Sequence, residues 1–107
     1  AHAAVDRIVA LGTRSVCLTH FGEHTAVADI AAQLHRWLTV SEGLMEAARA
    51  MPAEAREAWL ASELTAAFEA TAAGVGLVLT EADRALLAFD RKLNAQGLAY
   101  AAGRAGA

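Results

Sequence analysis

One stretch of the chain has the character of a β-strand, and it sits among segments with helical periodicity. Ser15-Val16-Cys17-Leu18-Thr19 is short, apolar at its centre and partly β-branched, the pattern of a strand covered on both faces of a sheet. A lone strand cannot satisfy its own backbone, because each N–H and C=O needs a partner. Its sheet therefore lies in another part of a longer polypeptide, or it pairs between copies, or the run is not a strand in this chain alone. Val16 and Leu18 on either side place Cys17 at a buried strand position rather than that of a reactive thiol. An unpaired single cysteine favours a reducing, cytoplasmic setting.

Around the strand the periodicity is helical. Val5, Ile8 and Val9 share a face with Asp6 and Arg7 off it, and Gly12 falls where a C-terminal cap belongs, so a first helix spans residues 2–11. After His20-Phe21-Gly22-Glu23-His24, read as a loop, Thr25 can cap a long helix. That helix carries Val27, Ile30, Leu34, Trp37, Leu38, Leu44 and Met45 at spacings of three and four. Pro52 suits the first position of the next helix, which runs to about Ala73 with Leu60, Leu64 and Phe68 as its stripe. Gly74 to Leu79 is a connector expected to bury its apolar side chains. Thr80-Glu81-Ala82-Asp83 opens another helix, with Leu86, Phe89 and Leu93 on one face, and a separate short helix or turn over residues 95–103 leads into a small-residue tail. The fold class predicted is mainly α: a helical C-terminal bundle preceded by one αβ unit, helix 2–11 and strand 15–19. The domains are residues 1–24 and 25–107.

Composition limits the functions open to this chain. Of 107 residues 60 are hydrophobic, but 29 of these are alanine, which leaves 31 larger apolar side chains, one small domain's worth. Nine basic against 12 acidic residues give a net charge of −3 without a basic cluster, so no nucleic-acid partner is expected. No apolar run reaches the roughly 18 residues of a membrane span, and no membrane partner is expected either. The opening Ala1-His2-Ala3 without methionine points to a fragment, a processed product or a truncation.

The informative polar feature is the histidine pair His20 and His24, directly after the strand. The carboxyl end of a strand is where α/β folds often present metal-binding groups, and a neutral imidazole suits zinc, iron or manganese. Formally His20-Phe21-Gly22-Glu23-His24 matches H-x-x-E-H, a zinc motif that works only on a helix, where i, i+4 spacing aims both rings at one ion. Gly22 and the strand leading in argue against that helix. His35 is read as a boundary histidine on the long helix, and Trp37 and Trp59 as core or interface anchors. Glu54, Glu57, Glu63 and Glu69 form the wet face of one helix. No catalytic or organic-cofactor-binding residue is assigned.

The run Arg14 to Gly22, preceded by the helix Val5 to Gly12, resembles the last helix and strand of the metallo-β-lactamase-fold hydrolases. In many of them a segment of the form I/V-x-L-T-H-F-G ends the domain and its histidine is the final metal ligand. Leu18-Thr19-His20-Phe21-Gly22 carries that resemblance, and the long helix after Thr25 and the stretch Leu93 to Tyr100 are similar to the helical regions many members append. The resemblance implies a C-terminal piece of a zinc-dependent (or other divalent-metal) hydrolase, with His20 as metal ligand and His24 supporting it or facing substrate. The main H-x-H-x-D-H motif of the fold is not in this sequence. The piece is thus expected to be inactive alone and metal-free in isolation, with the rest of the hydrolase domain as its partner and homo-oligomerisation through the helices. The alternative reading is a helical interaction or oligomerisation module with no metal role.

Overall fold

The computed structural model describes residues 1–104, so the small-residue tail lies outside the described residues. The element order is α1 (His2–Ala10), β1 (Val16–Leu18), β2 (Gly22–His24), α2 (Val27–Arg49), α3 (Ala53–Gly74) and α4 (Glu81–Arg104). The mainly helical class predicted from periodicity is what the structure has, with one small sheet. Two compact units divide the chain, one of Ala1–Glu42 and one from Gly43 onward, and α2 contributes residues to each.

In the first unit α1 ends as its apolar spacing and Gly12 require. The Gly12 N–H donates to the Val9 carbonyl at 3.1 Å, with φ of +66°, a conformation open to glycine at little steric cost. The strand is real but shorter than read, and it has a partner. β1 pairs antiparallel with β2 in the register Val16 with His24, Cys17 with Glu23 and Leu18 with Gly22. The segment read as a loop is therefore the second arm of a hairpin. Its three-residue turn is closed by the Phe21 N–H on the Leu18 carbonyl at 3.3 Å, and Gly22 follows with φ of +75°. Turn geometry makes this hairpin, because Gly-Glu-His has little strand propensity of its own. The strand is not covered on both faces: Val16 and Leu18 are half-buried while Cys17 between them is exposed. A two-stranded hairpin has one face in solvent, and the alternation puts the thiol there.

The second unit is built on small side chains. Leu60 is its one large, fully buried residue, and Ala48, Leu64, Ala95 and Ala102 complete the core, with Leu44, Met45, Trp59 and Leu98 packed at its margin. Alanines let α3 and α4 approach closely, and each buries little area, so the larger side chains Leu60 and Leu64, with Leu44, Met45, Trp59 and Leu98 against them, carry the hydrophobic stabilisation. Pro52 stands one position before α3, as its N-cap, rather than first inside it. α4 is one continuous helix through Gly97, not two. A single internal glycine costs about 1 kcal/mol in a helix, and the buried Ala95 and Ala102 sit on the continuation of that helix. Its start is a reciprocal capping box: the Thr80 N–H donates to Asp83 Oδ2 at 2.9 Å and the Asp83 N–H to Thr80 Oγ1 at 3.1 Å.

The connector after α3 does not bury its side chains. Val75, Leu77 and Val78 are 76%, 57% and 84% exposed. A Schellman ending explains this: Gly76, at φ +73°, donates to the Ala73 carbonyl at 3.1 Å and Leu77 to that of Ala72 at 2.9 Å, which satisfies the last carbonyls while the chain turns outward. No helix among the described residues is long and apolar enough to cross a membrane.

Candidate functional site

The first unit holds both groups of histidines. His20 is exposed in the hairpin turn, two residues beyond the carboxyl end of β1. His24 is on β2, where its Nε2–H donates to the Phe21 carbonyl at 2.8 Å, and Ser15 Oγ donates to Glu23 Oε1 at 2.7 Å across the strands. These two bonds brace the turn that displays His20. The H-x-x-E-H spacing does not lie on a helix: it starts in the turn and ends in β2. Among the described residues no three histidine, cysteine, aspartate or glutamate side chains converge as a metal-binding group.

Under the hairpin α1, β1 and α2 enclose an open cleft of about 320 Å³. Val5 and Ile8 of α1, Val16 and Leu18 of β1, and Ile30 and Leu34 of α2 form its walls, and Thr13 and Ser15 also line it. The stripe Val5, Ile8, Val9 thus does face the body of its unit. It is incompletely covered there: Ile8 and Val9 remain 49% and 40% exposed, and no residue of α1 is buried.

A second histidine constellation, not anticipated from the sequence, joins α1 to α2. The Nδ1 atoms of His2 and His35 lie 2.5 Å apart. The ring planes are within 5° of parallel and the centroids 4.8 Å apart. That separation exceeds the Nδ1···Nδ1 distance by two ring radii, so the imidazoles meet edge to edge in one plane rather than face to face. Each ring's other nitrogen has a carboxylate: His35 Nε2 is 2.9 Å from Asp6 Oδ1 and His2 Nε2 is 3.5 Å from Glu42 Oε1. His2 and His35 are 33 residues apart and neither stands in a motif, so only the fold brings them together. The boundary position read for His35 is correct, with about a third of its side chain exposed.

The second unit holds two carboxyls fixed by hydrogen bonds, Glu69 and Asp83. A paired hydrogen bond from Arg84, at 2.6 and 3.2 Å, holds the Glu69 carboxyl below its usual range and raises the guanidinium. Backbone and hydroxyl hydrogen bonds from Thr80 lower Asp83. Both arrangements anchor the start of α4 and are structural. No family model, curated protein or solved structure matches this chain.

Proposed function

We propose that this chain is the C-terminal region of a metallo-β-lactamase-fold hydrolase, in which His20 is one ligand of a zinc or other divalent metal site. The observation that carries the reading is the placement of His20. It follows the carboxyl end of β1, exposed on a braced turn, and β1 pairs with β2 alone among the described residues. A free strand edge and an uncovered apolar face on α1 suit a unit that docks against more of a sheet. The donor set fits a metal only in part, since His20 supplies one nitrogen and the other ligands come from the rest of the hydrolase domain. Bound zinc would act there as a Lewis acid. His24 contributes by holding the Phe21 carbonyl and with it the turn, which keeps the His20 ring at the strand end. The exposed, unpaired Cys17 suits a reducing, cytoplasmic setting.

In the longer polypeptide this reading requires, His20→Ala lowers metal content and hydrolytic rate together, while His24→Ala lowers them less. Full metal occupancy and unchanged hydrolysis in His20→Ala would overturn the assignment.

A second reading has its own observation. Leu86, Phe89 and Leu93 follow the i, i+3, i+7 spacing of a coiled-coil seam, and they are 78%, 66% and 49% exposed. We propose that α4 pairs with a second copy of itself along this seam, as an oligomerisation module. Sedimentation of the chain at micromolar concentration tests it, and a monomer there would exclude it.

A further inference from the structure

We propose that α1 is latched to α2 by one proton shared between His2 and His35, so that α1 stays docked within a bounded pH range and detaches on both its acid and its alkaline side. The device is separate from any role for His20. The two Nδ1 atoms meet head-on at 2.5 Å, and neither two lone pairs nor two N–H groups can face each other at that separation. One hydrogen therefore lies between them. On the far side of each ring His35 Nε2 faces Asp6 Oδ1 at 2.9 Å and His2 Nε2 faces Glu42 Oε1 at 3.5 Å. A carboxylate oxygen accepts only from a nitrogen that carries hydrogen.

Counting ring hydrogens fixes the charge of the pair. Two neutral imidazoles hold two, so with one between the rings a bare Nε2 lone pair is left against Glu42 or Asp6. Two imidazolium ions hold four, which sets N–H against N–H in the middle. Three hydrogens satisfy all four ring nitrogens: His2 is an imidazolium that donates to His35 Nδ1 and toward Glu42, and His35 is a neutral ring that accepts at Nδ1 and donates to Asp6. The single positive charge then lies between two carboxylates. Among the described residues Arg7 and Arg36, next in sequence to Asp6 and His35, form no ion pair with them, and in the hairpin Glu23 and His24 are engaged by Ser15 and the Phe21 carbonyl. The latch matters because little else secures α1, which has no buried residue and leaves Ile8 and Val9 substantially exposed beside the open cleft.

The direction of each pH effect follows from proton counts. Docked, the pair holds one proton beyond its neutral rings. Detached, two free histidines hold two such protons well below about pH 6.5 and none well above it. Detachment thus takes up a proton in acid and releases one in alkali. Docking is firmest near about pH 6.5 and weakens about eightfold at roughly 1.5 pH units to either side.

The test is native-state hydrogen exchange of the chain from about pH 5 to about pH 8. Protection of α1 amides is corrected for the intrinsic exchange rate and divided by that of α3, which contains no histidine. We expect a ratio that peaks between about pH 6 and about pH 7 and falls several-fold toward both ends, and a His2→Gln chain whose ratio has no such maximum. Ring ¹⁵N spectra of the unsubstituted protein give a readout that loss of folding cannot mimic: near about pH 6.5 one ring hydrogen couples to the Nδ1 atoms of both histidines while both Nε2 atoms carry hydrogen. A ratio that changes by less than about twofold, or falls toward one end only as a neutral pair requires, would overturn the proposal. So would a maximum that survives in His2→Gln, or a bare Nε2 on either ring near about pH 6.5.

Discussion

At the scale of single residues, Arg56 closes the C-terminal end of α2. Its Nε donates to the carbonyls of Ala48 and Met51 at 2.9 and 3.2 Å, and Nη2 to that of Arg49 at 3.3 Å. The carbonyls of Ala48 and Arg49 belong to the last turn of α2, where the first also accepts the Met51 N–H at 3.1 Å, and a cation there opposes the helix dipole. Arg56→Met keeps the aliphatic packing and removes the donors. Half-burial lets water replace part of what is lost, so the expected cost is about 1–2 kcal/mol, read as a lower urea midpoint at unchanged slope. A shift under about 0.5 kcal/mol, the range of ordinary surface changes, would show that water caps these carbonyls equally well. Nothing in the sequence marks Arg56 for this task among the basic residues, because the cap depends on how the turn at Met51 and Pro52 folds back. The same reason hid the His2–His35 pair: its partners are set by the approach of α1 to α2, and local spacing carries no trace of it. The place of His20 beyond the strand was legible because it is a local property.

At the scale of elements, periodicity found every helix, and caps fixed the clearest boundaries. Thr80 with Asp83 and Gly12 after Leu11 are signals of one turn's length, and the structure uses both. The readings that the structure changes are those that tertiary context decides: the loop that is β2, the connector expected to be buried and the division of α4. The stripe Leu60 and Leu64 is core, but the equally regular stripe Leu86, Phe89 and Leu93 of α4 is not, since α4 is buried through Ala95 and Ala102 instead. Periodicity reports that a helix has an apolar face and not what covers it. If a second copy covers that face, the double variant Leu86→Glu and Phe89→Glu sets two like charges into the seam and shifts the chain to monomer in sedimentation velocity. Helix content and monomer stability should stay within about 0.5 kcal/mol, because exposed positions contribute little. A wild-type monomer, or an oligomer that survives the double variant, would remove α4 as the interface.

At the scale of the molecule, burial is divided unequally between the two compact units. Residues 1–42 contain one buried apolar residue, Ala31 at 8%, whereas the second unit buries Ala48, Leu60, Leu64, Ala72, Ala95 and Ala102. Local opening costs least where few apolar contacts are broken. Amides of α1 and of the β1–β2 hairpin should therefore exchange with solvent first, and those around Leu60 and Leu64 in α3 last. A tenfold gap in protection, about 1.4 kcal/mol, is the least this difference in burial predicts. The ordering follows from the fact that the first unit leaves its cleft open and Ile8, Val9 and Leu34 substantially exposed, so its helix is held mainly by hydrogen bonds and by the clasp at His35 and Asp6. Equal protection of α1 and α3 would mean that something else covers the first unit in solution, and hydrogen exchange across a concentration series then separates the possibilities. Protection of α1 that grows with concentration identifies a second copy, and protection independent of concentration places the cover within the chain itself.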